Sequence, residues 1–398
     1  MMYPASPHAP HAIGEGLSIA NLIGSIGARF GAASPLAPLA CEPATHALHQ
    51  SRCVVLLLMD GVGCAQLERL PAGAALRTSR LTDLSSVFPS STAPAITTLA
   101  SGLPPSQHAI TGWYTWSPEH QAVARPLPMD LRGDHAHALD PNTFLGWQAL
   151  SARMNVPVTV MQPAAIADSA YSRFAWAGAR RQHYVRLHDL QGHLLEAARH
   201  GARHGGFIYA YLPQFDSVAH EFGWTSGRAR QVLVAFDRFF ESLAQQLSST
   251  EVLLLASADH GFIDVPSDQL LQIEAFPDVA QHLMHPLSGE PRVVFCHVNE
   301  TRREAFEAAA RAQLGFAFDL YPSDALLNAG WFGPCTDTGR IRDRIGTHCL
   351  VARDHYCLTQ TLPGEKPVSF IGMHGGIRPE EMRVPLLATR SGRIPSSH

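Results

Sequence analysis

Four unbroken apolar runs, each of strand length and each stopped by a polar residue, set the limits of this fold. They are "CVVLLLMDG" near residue 53, "VPVTVMQP" near 156, "GFIYAYLP" near 206 and "EVLLLASADHG" near 251. A strand with one face in water alternates polar and apolar residues; a run that is apolar throughout has both faces covered, as in a parallel sheet between helices. Helical spacing fills the intervals: "DPNTFLGWQALSARM" after 140, "VRLHDLQGHLLEAARHG" after 185 and "RARQVLVAFDRFFESLAQQLSS" after 228, the second closed by a glycine. The alternation predicts an α/β fold, a doubly wound, mostly parallel sheet flanked by helices.

The rhythm breaks between 264 and 365. "RVVFCHVNE", the helical "TRREAFEAAARAQLG", a Pro/Gly-rich stretch and "HCLVARDHYCLT" read as an inserted α+β cap. The expected organisation is an N-terminal segment with a short amphipathic helix (1–45), a catalytic core (46–263 and 366–398) and the cap (264–365). "VSFIGMHGG" and "MRVPLLAT" are expected to return to the main sheet as strands. The aromatic, proline-rich stretch 103–140 is expected to be a smaller insertion or a substrate-facing loop.

A chain of 398 residues, 46% hydrophobic and 16% charged, is long enough to bury a full core. Its formal net charge of −4 and lack of any Lys/Arg run argue against an obligate nucleic-acid partner. The seven cysteines show no C-x-x-C pairing, which fits a reducing compartment. The start lacks a basic segment ahead of its apolar stretch, and no run approaches the roughly 18 apolar residues of a membrane span. The expectation is a cytoplasmic protein acting on a small molecule; none of these features sets an oligomeric state.

In open α/β sheets, ligands bind beyond the carboxyl ends of the strands. Here Asp60, Asp216 and Asp259 each follow an apolar run. "DSVAH" puts Asp216 and His220 one helical turn apart, on one face, where a carboxylate and an imidazole can share a divalent cation. "ADHG" sets His260 beside Asp259, and "MHGG" places His374 before two glycines that let backbone pass close to a ligand. Taken singly, each has an ordinary reading as a turn residue, a cap or a surface histidine, and the chain has 22 histidines. The stretch "FPSSTAPAITTLASG" adds three hydroxyls, Ser90, Ser91 and Thr92, ahead of a proline-started helix. A hydroxyl there can cap the helix or act on an anion held by the helix N-terminus.

In order, the chain reads D-G after a strand, a hydroxyl before the helix, D-x-x-x-H, D-H-G and H-G-G. This resembles the alkaline phosphatase superfamily, most closely its type I phosphodiesterase/nucleotide pyrophosphatase family, over residues 50–390 or so. The resemblance implies that Asp216, His220 and His374 hold one divalent cation. Asp60, Asp259 and His260 would hold a second, with the Thr92 oxygen as a further ligand. Thr92 would be the nucleophile, Ser90 and Ser91 approach and capping residues. The implied reaction is metal-dependent hydrolysis of a phosphodiester or nucleotide pyrophosphate bond through a phospho-threonine. Carboxylate and imidazole donors suit Zn²⁺, with Mn²⁺ the alternative, and a cation-bound hydroxyl is acidified as bound water is.

The chain departs from the family pattern after the nucleophile. The family's F-P-N is "APA" here, and Gly112 and Trp113 stand where a phosphoryl-binding asparagine would fall. Candidate substrate contacts are therefore the Ala93 amide at the helix start and the rings of Trp113 and Tyr114, which have an alternative reading, with Trp116, as packing between sheet and cap. Without a cysteine in "STAPA", a sulfatase is set aside. Phosphomonoesterase, phosphonate hydrolase and phosphomutase remain alternatives within the superfamily, and a non-catalytic metal-binding scaffold outside enzymology.

Overall fold

A computed structural model describes residues 13–334 and 338–390; Cys335 and the first residues of the N-terminal segment lie outside them. The central sheet has seven strands: β1 (Cys53–Met59), β2 (Arg80–Ser85), β3 (Val158–Pro163), β4 (Arg180–Tyr184), β5 (Gly206–Leu212), β6 (Val252–Ser257) and β7 (Arg383–Arg390). Their order is β2-β7-β6-β1-β5-β3-β4. The four apolar runs form β1, β3, β5 and β6, which pair in parallel. Every residue of β1, β5 and β6 is buried, which explains why these strands carry no polar alternation. Only β7 runs against its neighbours β6 and β2, so the sheet is mostly parallel.

The helices that matter for the site are α1 (Ile19–Arg29), α2 (Thr92–Ser101), α3 (Leu187–His204), α4 (Gln214–Phe222) and α5 (Gly227–Leu247). α1 packs on α2, and α3 packs beside α5 over the sheet. The expected helix after 140 is broken into Pro141–Phe144 and a 3-10 turn at Leu150–Arg153. Gly146 takes φ +66°, and the Arg340 guanidinium binds the carbonyls of Thr143, Phe144 and Leu145, which a continuing helix would have needed as acceptors.

Within 264–365 lies a four-stranded antiparallel sheet, Ser288–Glu290, Val293–Cys296, His348–Ala352 and Phe318–Pro322 in spatial order, with helix Arg303–Leu314. It has its own apolar cluster around Phe306, Leu314 and Leu350. The 103–140 stretch is neither a bare loop nor irregular: residues 115–138 form a second four-stranded sheet, and Tyr114 exchanges backbone hydrogen bonds with Gly289 to join the two. "MRVPLLAT" returns to the main sheet as β7. "VSFIGMHGG" does not: Gly372–Met373 pairs only with Ile263–Asp264, in a two-residue ribbon, and Phe370 and Ile371 are exposed.

Candidate active site

The three aspartates rise from adjacent strands β6, β1 and β5. Asp60 follows β1 directly, Asp259 and His260 follow β6, and Asp216 sits in the first turn of α4, just after β5. Gly61 makes the sharp exit after Asp60 at φ +76°, and a Cβ there would lie 2.4 Å from the Phe262 ring. α4 carries Asp216 and His220 one turn apart. α2 opens with Thr92, and the ribbon at Gly372–Met373 delivers His374.

These residues meet as two clusters. In one, His220 Nε2 lies 3.3 Å from Asp216 Oδ1 and 3.2 Å from His374 Nε2, with His374 Nε2 3.8 Å from Asp216 Oδ1. In the other, His260 Nε2 lies 3.4 Å from Asp60 Oδ1 and 3.6 Å from Asp259 Oδ2. Thr92 Oγ1 is 3.0 Å from the same His260 Nε2. The rings of His260 and His374 stack at 3.6 Å, so the clusters adjoin.

The remaining polar atoms of the clusters are each committed elsewhere. His220, His260 and His374 each direct Nδ1 to a backbone carbonyl, of Gly372 at 2.8 Å, Gly261 at 3.0 Å and Ser90 at 3.3 Å. A carbonyl can only accept, so Nδ1 carries the proton and Nε2 presents its lone pair. The carboxylates are divided in the same way. Tyr211 donates to Asp60 Oδ2, and the amides of Gly61 and His260 donate to Asp259 Oδ1. Asp60 Oδ1, Asp259 Oδ2 and Asp216 Oδ1 are buried without a hydrogen-bond donor, and these are the oxygens that face the imidazoles. Carboxylate oxygens without donors and imidazole nitrogens converging on one point fit a divalent cation in each cluster.

The buried charges of the two clusters also act on one another. Burial pushes the Asp60 carboxyl well above its ordinary range, and Asp216 and Asp259 push it further. Burial also acts to raise Asp216, but His220 outweighs it and holds the carboxyl low, while Asp216 raises His220 against the effect of its own burial. Burial drives His374 well below its ordinary value, helped by His260 and His220.

The other expected residues divide. Ala93 is buried in the first turn of α2, where its N–H has no intrahelical acceptor. Trp113, 37% exposed, and Tyr114 line the cavity of about 310 Å³ above the clusters, with Asp60, Thr92, His220 and His374. Trp116 is not there; it is buried and stacks on His285 at 3.8 Å. Ser91 occupies the N-cap position of α2 without capping it, because its hydroxyl donates to Glu290. Ser90 donates to the Gly376 carbonyl at 2.7 Å.

Glu290 is the residue that sequence reasoning misses. Its buried carboxylate accepts from Ser91 and from the Trp113 amide at 2.5 Å and lines the same cavity, and burial raises its pKa to about 7. Gly375, φ +107°, passes against it: a Cβ there would lie 2.8 Å from Glu290 Cβ. The close approach expected of this glycine pair is thus to a neighbouring strand.

The fold is shared with solved structures of low sequence identity. Murine ectonucleotide pyrophosphatase/phosphodiesterase 5, an inactive variant in complex with AMP, superposes with a TM-score of 0.64 at 17% identity, over 86% of this chain and 88% of that one. The human protein gives 0.64 at 18%, over 85% and 87%. Phosphonoacetate hydrolase from Sinorhizobium meliloti 1021, in complex with phosphonoacetate, gives 0.63 at 15%, over 88% and 92%. No curated protein matches the chain. No helix among the described residues is long and apolar enough to cross a membrane. The family model for type I phosphodiesterase/nucleotide pyrophosphatase matches residues 54–377, a span that contains every residue of both clusters, and that family is metal-dependent. By that match the chain belongs to the type I phosphodiesterase/nucleotide pyrophosphatase family, within the alkaline phosphatase superfamily, and is a phosphoric ester hydrolase.

Proposed function

We propose that this protein hydrolyses phosphodiester or nucleotide pyrophosphate bonds at a two-cation site, with Thr92 as the nucleophile. The observation that carries the reading is Thr92 Oγ1 at 3.0 Å from His260 Nε2, beside two clusters whose buried oxygens lack donors. Asp216, His220 and His374 would hold one cation, and Asp60, Asp259 and His260 the other, with Thr92 adjoining the second. Nitrogen and oxygen donors of this kind favour Zn²⁺, with Mn²⁺ the alternative. When bound, such ions supply Lewis acidity that lowers the pKa of a nearby hydroxyl and offsets phosphoryl charge.

The chain's own part begins with Thr92 Oγ, which gives up its proton and attacks phosphorus as the bond to one leaving oxygen breaks, so that the phosphoryl group, still carrying its second organic group, is joined to Thr92. Water then attacks the same phosphorus, the Thr92–phosphorus bond breaks with a proton returned to Oγ, and a phosphomonoester leaves. The Ala93 amide, lacking an intrahelical acceptor, can donate to a phosphoryl oxygen. Trp113 and Tyr114 flank the organic part of the substrate. Diester preference is supported by the absence of arginine from "STAPAIT" and by Glu290 beside Ser91, which offers a second phosphoryl charge no positive partner. We assign residues 264–365 the role of a cap, because Glu290 enters the site from them. A reducing, cytoplasmic setting is supported by the six buried free cysteines among the described residues.

The test is to quench zinc-loaded enzyme during turnover of an aryl phosphodiester and map the phosphoryl group by mass spectrometry. An aryl phosphoryl group on Thr92, one aryl group having left, is expected. Steady turnover with no phosphorylated Thr92 at any quench time would overturn the covalent route.

A further inference from the structure

A second cavity, of about 410 Å³, adjoins the one above the clusters, and Tyr114, Glu290, Pro291 and Val368 line both. Its guanidinium groups are already matched by acids. Arg132, nearly buried, grips both oxygens of Glu365 at 2.9 Å and lies 4.1 Å from the Tyr114 ring centre. Arg125 binds both oxygens of Asp130, and His135 lies 3.8 Å from the same carboxylate. Lys366 differs: it is the only lysine in 398 residues, is exposed at the cavity rim, and makes no ion pair among the described residues. On the cavity wall, Ser288 is 3% exposed and its hydroxyl has no partner.

Resting on the phosphodiesterase reading above, we infer that this cavity is a subsite for one organic group of the ester, and that it favours a group ending in a carboxylate. Its volume falls within the range of small-molecule pockets. One unmatched ammonium and one unpartnered hydroxyl suit a single negative charge with an oxygen acceptor. Glu290 lines both cavities and so lies between this subsite and the clusters, while Lys366 lines this cavity alone.

The experiment compares bis(4-nitrophenyl) phosphate with bis(3-carboxy-4-nitrophenyl) phosphate on zinc-loaded enzyme; being symmetric, each presents the same group whichever arm enters the cavity. Wild type is expected to favour the carboxylated diester in KM. Lys366→Gln should lower the ratio of kcat/KM, carboxylated over plain, by about fivefold, the scale of an exposed ion pair. Ser288→Ala should lower it as well, and Lys366→Arg should keep it. A ratio unchanged in both Lys366→Gln and Ser288→Ala overturns the subsite. A second readout is independent of turnover. Because Lys366 is the only lysine, its modification by trinitrobenzenesulfonate can be followed on one peptide; 5-hydroxy-2-nitrobenzoate should slow it and 4-nitrophenol should not. Equal rates would also overturn the subsite. Hydrolysis of neither diester would instead defeat the phosphodiesterase reading, and the labelling result would still decide the subsite.

Discussion

Arg292 and Glu381, both fully buried, form a two-pronged ion pair with Nε–Oε1 at 2.7 Å and Nη2–Oε2 at 2.9 Å. The Glu381 carboxylate also accepts the Gly376 amide at 2.8 Å, and its carbonyl accepts the Gly261 amide at 2.8 Å. One pair therefore braces the loops that carry His374 and His260. Glu381→Ala leaves a buried guanidinium unpaired and should cost about 3–5 kcal/mol in denaturant unfolding, with a parallel fall in bound zinc. Wild-type stability and metal content in that variant would rule out the brace.

The three hydroxyls before α2 are expected to separate cleanly. Thr92→Ala should lose turnover by about a thousandfold or more, as removal of a nucleophile does. Ser90→Ala and Ser91→Ala should keep most of it, since their hydroxyls point to Gly376 and Glu290. A dead Ser91→Ala with an active Thr92→Ala would shift the nucleophile by one residue.

Chelation should both stop hydrolysis and lower the unfolding temperature. Asp60 and Asp259 converge without donors on their inner oxygens and Asp216 adds to the negative charge on Asp60, so the Asp60–Asp259 cluster repels itself when empty. Returning zinc at a hundredfold above its dissociation constant should restore about 2.7 kcal/mol per site at most, together with turnover. Metal analysis should find close to two ions per chain, and His220→Ala should remove one of them first. Full activity in a chelator would contradict this.

Glu290 makes a signed prediction about pH in the chelated protein. Burial raises its pKa from 4.5 to about 7, against the lowering effect of Ser91 and Trp113. Between those values the folded chain holds a proton that the unfolded chain has released, so stability falls as pH rises from 4.5 to 7 and is flat above. The loss is up to about 3 kcal/mol at ~1.4 kcal/mol per pH unit. Glu290→Gln should abolish that slope and be more stable than wild type at pH 8. An identical slope in the variant would assign the effect elsewhere.

What could be read in the sequence was what lies next to a buried strand. Asp60, Asp216 and Asp259 were legible because uninterrupted apolar runs mark both the strands and their ends, and His220 because one helical turn ties it to Asp216. Glu290 was not, since "LSGEPR" offers Gly and Pro instead of a strand pattern and its partner Ser91 is 199 residues away. A lone carboxylate between Gly289 and Pro291 was the one signal present. "VSFIGM" misled for the opposite reason: apolar composition suggested a core strand, but only two of its residues pair. The helix expected after 140 failed because its carbonyls are claimed by Arg340, whose arrival no local pattern announces.

The position of β7 has a consequence for biosynthesis. β6 and β2 are not paired with each other; residues 383–390 lie between them and bond to both. A nascent chain emerging from the ribosome can zip β1, β3, β4, β5 and β6 together, yet that edge of the sheet stays open until residues 383–390 have been made. Glu381, which steadies the loops of His374 and His260, arrives in the same late stretch. Assembly of a competent site is thus postponed to the end of synthesis of this region, and a premature stop anywhere before 380 yields an exposed strand edge in place of an enzyme.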